Sequence, residues 1–139
     1  MTAELGLVPS IMVADCDEDE RCLIRSVLEL KGFVVIEAAD GQQAFDLALQ
    51  KHPDLILIEL KLPVVSGFTV IRRIQKLNRL RQTPIIGVSF ERPVSRKQLA
   101  MAAGCAAYLN KPIEFDELDS LIDRFLPDHK VLLPSVLVH

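Results

Sequence analysis

Hydrophobic and polar positions along this chain follow two rhythms in turn. Short unbroken apolar runs recur at Ser10-Ile11-Met12-Val13-Ala14-Asp15, Phe33-Val34-Val35-Ile36, Leu55-Ile56-Leu57-Ile58, Pro84-Ile85-Ile86-Gly87-Val88-Ser89 and Ala106-Ala107-Tyr108-Leu109-Asn110. Each predicts a strand covered on both faces, because burial on both sides removes the alternation of a half-exposed strand. Between them the apolar residues fall near helical spacing: Cys22, Leu23, Val27, Leu28 and Leu30; then Ala44, Phe45, Leu47, Ala48 and Leu49; then Phe68, Val70, Ile71, Ile74 and Leu77. An Ala-rich stretch from Ser95 to Ala103 and a stripe of Leu118, Leu121, Ile122 and Phe125 complete five predicted helices.

The punctuation agrees. Asp17, Glu18, Asp19 and Glu20 open the first helix, where acids complement the positive end of the dipole, and Gly32 closes it. Asp40 caps the second helix and His52-Pro53 ends it; Gly104 closes the fourth. Strands alternating with helices imply an α/β fold, a parallel sheet with helices on both faces and right-handed crossovers. In such sheets chemistry sits beyond the carboxyl ends of the strands. Those ends present Asp15, Cys16, Glu59, Ser89 and Lys111.

Composition narrows the class without naming a chemistry. The 139 residues are half hydrophobic and a quarter charged, which excludes a disordered or collagen-like chain. No apolar run approaches the ~18 residues of a membrane span, and the N-terminus shows no secretory pattern. The cysteines, Cys16, Cys22 and Cys105, are odd in number and unlike a zinc signature in spacing, so free thiols in a reducing cytoplasm are expected. Net charge is −3, but its distribution is uneven: residues 72–97 hold eight basic residues and one acid, a balance of +7, against −10 elsewhere. Such a cluster is commonly a solvated face, and can also steer a charged partner, so a nucleic-acid-binding module using Arg72–Lys97 stays open as an alternative.

Taken together, Ile11-Met12-Val13-Ala14-Asp15, Glu37-Ala38-Ala39-Asp40-Gly41, Pro53-Asp54-Leu55-Ile56-Leu57-Ile58-Glu59 through Pro63, Gly67, Thr83-Pro84, Ala103-Gly104 and Tyr108-Leu109-Asn110-Lys111-Pro112 make the chain resemble a receiver domain of two-component response regulators. The resemblance covers about Pro9 to Leu126. It implies a flavodoxin-like five-stranded sheet of order 2-1-3-4-5 for residues 1–126, with a core over 9–126 and an apolar tail over 127–139. It also implies an aspartate at the end of the third strand that takes a phosphoryl group from a histidine kinase. Two acids after the first strand, with that aspartate, would hold Mg²⁺, while a Ser or Thr and a Lys bind the phosphoryl oxygens. Asp15, Ser89 and Lys111 match, Lys111-Pro112 keeps a step that is usually cis, and Tyr108 occupies the aromatic switch position.

Two positions depart: Glu59 stands where the phosphoacceptor aspartate belongs, and Cys16 where the second acid belongs. Glutamate carries its carboxylate roughly 1.5 Å farther out. In a reaction that rests on positioning, a shift of about 1 Å can cost ~100-fold. The longer arm also brings charged oxygens within reach of Lys111, and of Ser89, imitating a phosphoryl group in part. Cys16 offers sulfur where Mg²⁺ wants oxygen. Asp15, Glu59 and Lys111 total −1, against −2 for the usual set, so any metal site at Asp15 and Glu59 should be weak or absent. Asp17 and Glu18 are alternative ligands, but their expected role is at the helix start. Neighbouring carboxylates disfavour the Cys16 thiolate, which is therefore not a nucleophile.

These residues predict no enzyme and no cofactor. They predict a stand-alone atypical receiver in phosphorelay signalling that binds protein without phosphorylation, Glu59–Lys111 replacing the phosphorylated switch. The resemblance places its partner, a histidine kinase or downstream signalling protein, on the face of the fourth helix, fifth strand and fifth helix, rimmed by Arg92, Arg96 and Lys97. That face or the tail, Val131 to Val138, would also serve a homodimer. Alternatives are a Mg²⁺-dependent receiver phosphorylated on Glu59, and a buried Glu59–Lys111 ion pair with no output. No glycine-rich phosphate loop is present, and His52, His129 and His139 lie away from the strand ends.

Overall fold

In a computed structural model, residues 8–90 and 94–127 are described. Five parallel strands, β1 (Ser10–Ala14), β2 (Val34–Ala38), β3 (Leu55–Glu59), β4 (Ile85–Ser89) and β5 (Ala107–Asn110), line up in the order β2-β1-β3-β4-β5. The connecting helices are α1 (Glu18–Leu30), α2 (Gly41–Lys51), α3 (Gly67–Gln75), α4 (Val94–Ala103) and α5 (Phe115–Phe125).

The apolar runs are continuous because each strand feeds two layers at once. Met12, Ala14, Ile56 and Ile58 pack on Ala44, Ala48, Val70, Ile71, Ile74 and Ala100, so α2, α3 and α4 cover one face. The alternate residues Ile11, Val13, Leu55 and Leu57 pack with Ile86 and Val88 on Ile24, Leu28, Leu118 and Ile122, so α1 and α5 cover the other. An alternating strand would leave one of these layers without apolar cover.

Among the boundaries that differ from the sequence expectation, two follow from named bonds. β2 starts at Val34 and runs on to Ala38, because the Phe33 N–H bonds the Leu28 carbonyl in the turn while Glu37 and Ala38 pair with Val13 and Ala14. Asp15 lies just beyond β1, though its N–H still bonds the Ala38 carbonyl. The register sets Glu59 beside Val88 and Ser89 beside Asn110, so the carboxyl ends of β3, β4 and β5 finish at one level. Gly67 lets the start of α3 rest on β3, since a Cβ there would collide with the Glu59 carbonyl oxygen.

The expected cis bond is present at Lys111-Pro112. The predicted docking of the tail, and Arg92 of the basic rim, lie outside the described residues. No helix among the described residues is long and apolar enough to cross a membrane.

Candidate functional site

The strand ends converge on a buried lysine. Lys111 follows β5, and its amine donates to Asp15 Oδ2 at 2.8 Å, Glu20 Oε2 at 2.7 Å and Glu59 Oε2 at 3.0 Å. An ammonium group has three N–H bonds to give, and here three carboxylates receive them. The side chain is only 1% exposed. The Phe90 ring, the residue after β4, lies with its centroid 5.1 Å from the amine, within cation–π range.

Each carboxylate is positioned by its backbone. Asp15 is buried, and its Oδ1 accepts the Asp17 N–H at 2.8 Å. Asp17, one of the acids expected to open this helix, is its N-cap, its carboxylate accepting the N–H groups of Asp19 and Glu20. Glu20 is the third residue of that helix, the place from which a glutamate commonly reaches back to the N-cap N–H. Asp15 already holds that N–H, so Glu20 turns to Lys111 instead. Glu59, the last residue of β3, is buried, and its Oε1 accepts the Cys16 N–H at 3.2 Å.

Sequence reasoning placed Glu59 beside Lys111 and missed Glu20. Three carboxylates around one ammonium leave −2, not the −1 counted from Asp15, Glu59 and Lys111 alone. The signal was present as Asp17-x-x-Glu20, but it reads first as a helix start. Phe90 was passed over as well; its only mark is its position after Ser89. Ser89 is buried at the end of β4 beside Asn110, Tyr108 is half-buried on β5, and Pro112 is exposed. His52 caps the far end of α2 in the left-handed region.

The electrostatics follow from burial and crowding. Burial alone would lower the Lys111 pKa, but hydrogen bonds to Asp15, Glu20 and Glu59 outweigh it and hold the amine protonated well above its usual range. Burial raises the Asp15 carboxyl; the bonds from Lys111 and the Asp17 N–H oppose this, and the Glu59 charge adds to it. The Cys16 thiol is also raised, first by desolvation and then by Glu59 and Asp15, so it stays protonated at neutral pH.

Asp15, Cys16 and Glu59 bring their ligand atoms within 4.8 Å of one another. The set suits a hard cation poorly. Both oxygens of Asp15 and both of Glu59 already accept protein N–H groups, and the third donor is a thiol. Of the clefts on the surface, one touches this centre through Cys16 and a second does not. One of about 590 Å³ is lined by Cys16, Leu62, Pro63, Phe68 and Arg96 among others. Another, of about 370 Å³, lies between α4, β5 and α5 with Lys97, Met101, Tyr108, Glu117 and Arg124.

The family model for the response regulator receiver domain matches residues 11–123. The chain belongs to the receiver family. It is 33% identical over 122 residues to the polar-differentiation response regulator DivK of Brucella ovis, covering 88% of this chain and 99% of that one. Among solved structures, receiver neighbours include the Vibrio cholerae chemotaxis response regulator CheY4, with a TM-score of 0.80 at 26% identity over 86% of this chain and 99% of that one. Another is the receiver domain of a Pseudomonas aeruginosa sensor histidine kinase with a magnesium ion in its active-site cleft, with a TM-score of 0.79 at 28% identity over 85% of this chain and 97% of that one. In this receiver fold Asp15, Ser89 and Lys111 lie at the carboxyl ends of β1, β4 and β5, with Glu59 and Cys16 beside them.

Proposed function

We propose that this receiver acts in two-component signalling by binding protein partners without phosphoryl input, its pocket held by Lys111 clamped between acids. One observation carries the reading: all the donor capacity of the Lys111 amine is taken by Asp15, Glu20 and Glu59. A phosphoryl oxygen arriving at Glu59 would have to displace one of them. Glu59 alone imitates a phosphoryl group weakly, with one charge against −1.5 to −2. Glu20 supplies a second charge to the same amine, so the two together approach the phosphoryl value.

The metal follows the same logic. A magnesium ion at Asp15 and Glu59 would supply charge neutralisation for phosphoryl transfer, but it would compete with Lys111 for their oxygens and find sulfur at Cys16. The Pseudomonas receiver, with its magnesium ion, is the natural counterpart for testing this difference. Receiver domains interact with histidine kinases or phosphotransfer proteins. For this chain the cleft between α4, β5 and α5 is the surface we assign to the partner, with half-buried Tyr108 linking it to the sheet. The free cysteines suit a reducing, cytoplasmic setting.

Magnesium titration of the wild type against Cys16→Asp/Glu59→Asp tests the pocket. The double variant should bind the ion and the wild type should not. Equal affinity would discard the reading.

A further inference from the structure

A second surface, sharing no residue with the pocket or the α4–β5–α5 cleft, is built on α3 and the loop that follows it. Arg72, Arg73 and Lys76 stand exposed at the end of α3, Arg79 and Arg81 on the loop that follows, and Lys51 at the end of neighbouring α2. Neither α3 nor the loop through Thr83 contains an acid. Among the described residues none of these six cations is in an ion pair. The nearby acids on α2 and its exit are engaged elsewhere: Asp46 accepts from Gln42 at 3.0 Å, and Asp54 from the Ser10 N–H at 2.7 Å.

Several cations elsewhere in the molecule are paired, although Lys97 and Arg124 are not among them. Arg21 and Arg25 pair with Glu37, Lys31 pairs with Asp119, and Lys111 has its three carboxylates. α1 and α5 each mix both signs along their length. Soluble surfaces ordinarily intersperse the two signs, and a one-sign field acts at a distance on charged partners. The helix dipole favours the basic residues in the last turn of α3, but its effect fades within that turn and does not reach Arg79 or Arg81. Arg72 and Lys76 also form a like-charged i,i+4 pair, which helix stability does not favour.

We propose that the outer face of α3 and its following loop is a docking surface for an acidic protein segment rich in Asp and Glu. Protein is favoured over nucleic acid for two reasons. Outside residues 72–97 the chain carries a balance of −10, which repels an extended polyanion more than a short acidic segment. The patch is also compact: a helix of nine residues spans about 14 Å, the length of a few turns of a partner helix. Arg73, moreover, is already stacked over Phe45 at 5.8 Å, which ties α2 into the same face.

The test is fluorescence anisotropy with a labelled oligoglutamate peptide, run at low and at physiological salt on the full chain. Wild type should bind, and binding should weaken as salt rises. Arg72→Glu/Arg73→Glu/Lys76→Glu should lose roughly tenfold or more in affinity. Arg79→Glu/Arg81→Glu, which leaves the helix untouched, should lose affinity too if the first variant fails to fold. Lys31→Glu, at the end of α1 in the other helical layer, should bind like wild type. Absence of salt-dependent peptide binding would overturn the proposal. So would tighter binding of duplex DNA than of the peptide, lost in the same α3 variants, since that would make the face a nucleic-acid surface.

Discussion

Lys111 and the arginines of α3 are cations of one molecule under opposite rules. Lys111 is buried, so leaving it unpaired would be very costly, and the fold supplies three carboxylates from β1, α1 and β3. The α3 cations are solvated, need no counter-charge, and have no ion-pair partner among the described residues. Pairing inside is therefore a condition of folding, whereas its absence outside costs little and leaves charge available for recognition. The two regions should respond to mutation on different scales.

The largest effect is expected at the buried end. Lys111→Met would strand three carboxylates and should destabilise the fold by about 3–5 kcal/mol at neutral pH in urea denaturation. The loss should shrink on acidification, because protonating the stranded acids removes their repulsion. Next comes the rim of the same pocket. Phe90→Ala removes the ring over the amine and should cost about 0.5–1 kcal/mol. Glu20→Gln, at a side chain 30% exposed, should cost no more than about 1 kcal/mol. At the solvated end, Arg72→Ala should stay within about 0.5 kcal/mol of wild type. A result that reverses this order would break the comparison.

The pH dependence sharpens it further. Asp15 is raised above its unfolded value, so its contribution is fully present below about pH 3.9 and is lost as pH rises through its folded pKa. Glu37 runs the other way. Desolvation pushes it up, but Arg25 and Arg21 outweigh that and lower it, so its contribution is present above about pH 4.3 and is lost as pH falls through its folded pKa. Urea midpoints measured across this range should therefore lose opposite slopes in Asp15→Asn and Glu37→Gln.

The sheet was legible because burial on both faces leaves an unbroken apolar run, and the ends of β1, β3, β4 and β5 follow from those runs. Glu59 and Lys111 were legible through the receiver motif. Glu20 was not, because its direction depends on a contest for one N–H: Asp15 holds the Asp17 amide, and only coordinates reveal that Glu20 is left to reach the lysine. Phe33 misled as a strand residue since it is as apolar as its neighbours, while its amide belongs to the turn. The basic cluster was plain in sequence, but whether its members were paired across the surface was not.

Intact-mass measurement after incubation with a small phosphodonor and magnesium addresses the central claim most directly. With Lys111 occupied by Asp15, Glu20 and Glu59, the wild-type mass should not change. Stable addition of one phosphoryl group at Glu59 would contradict it.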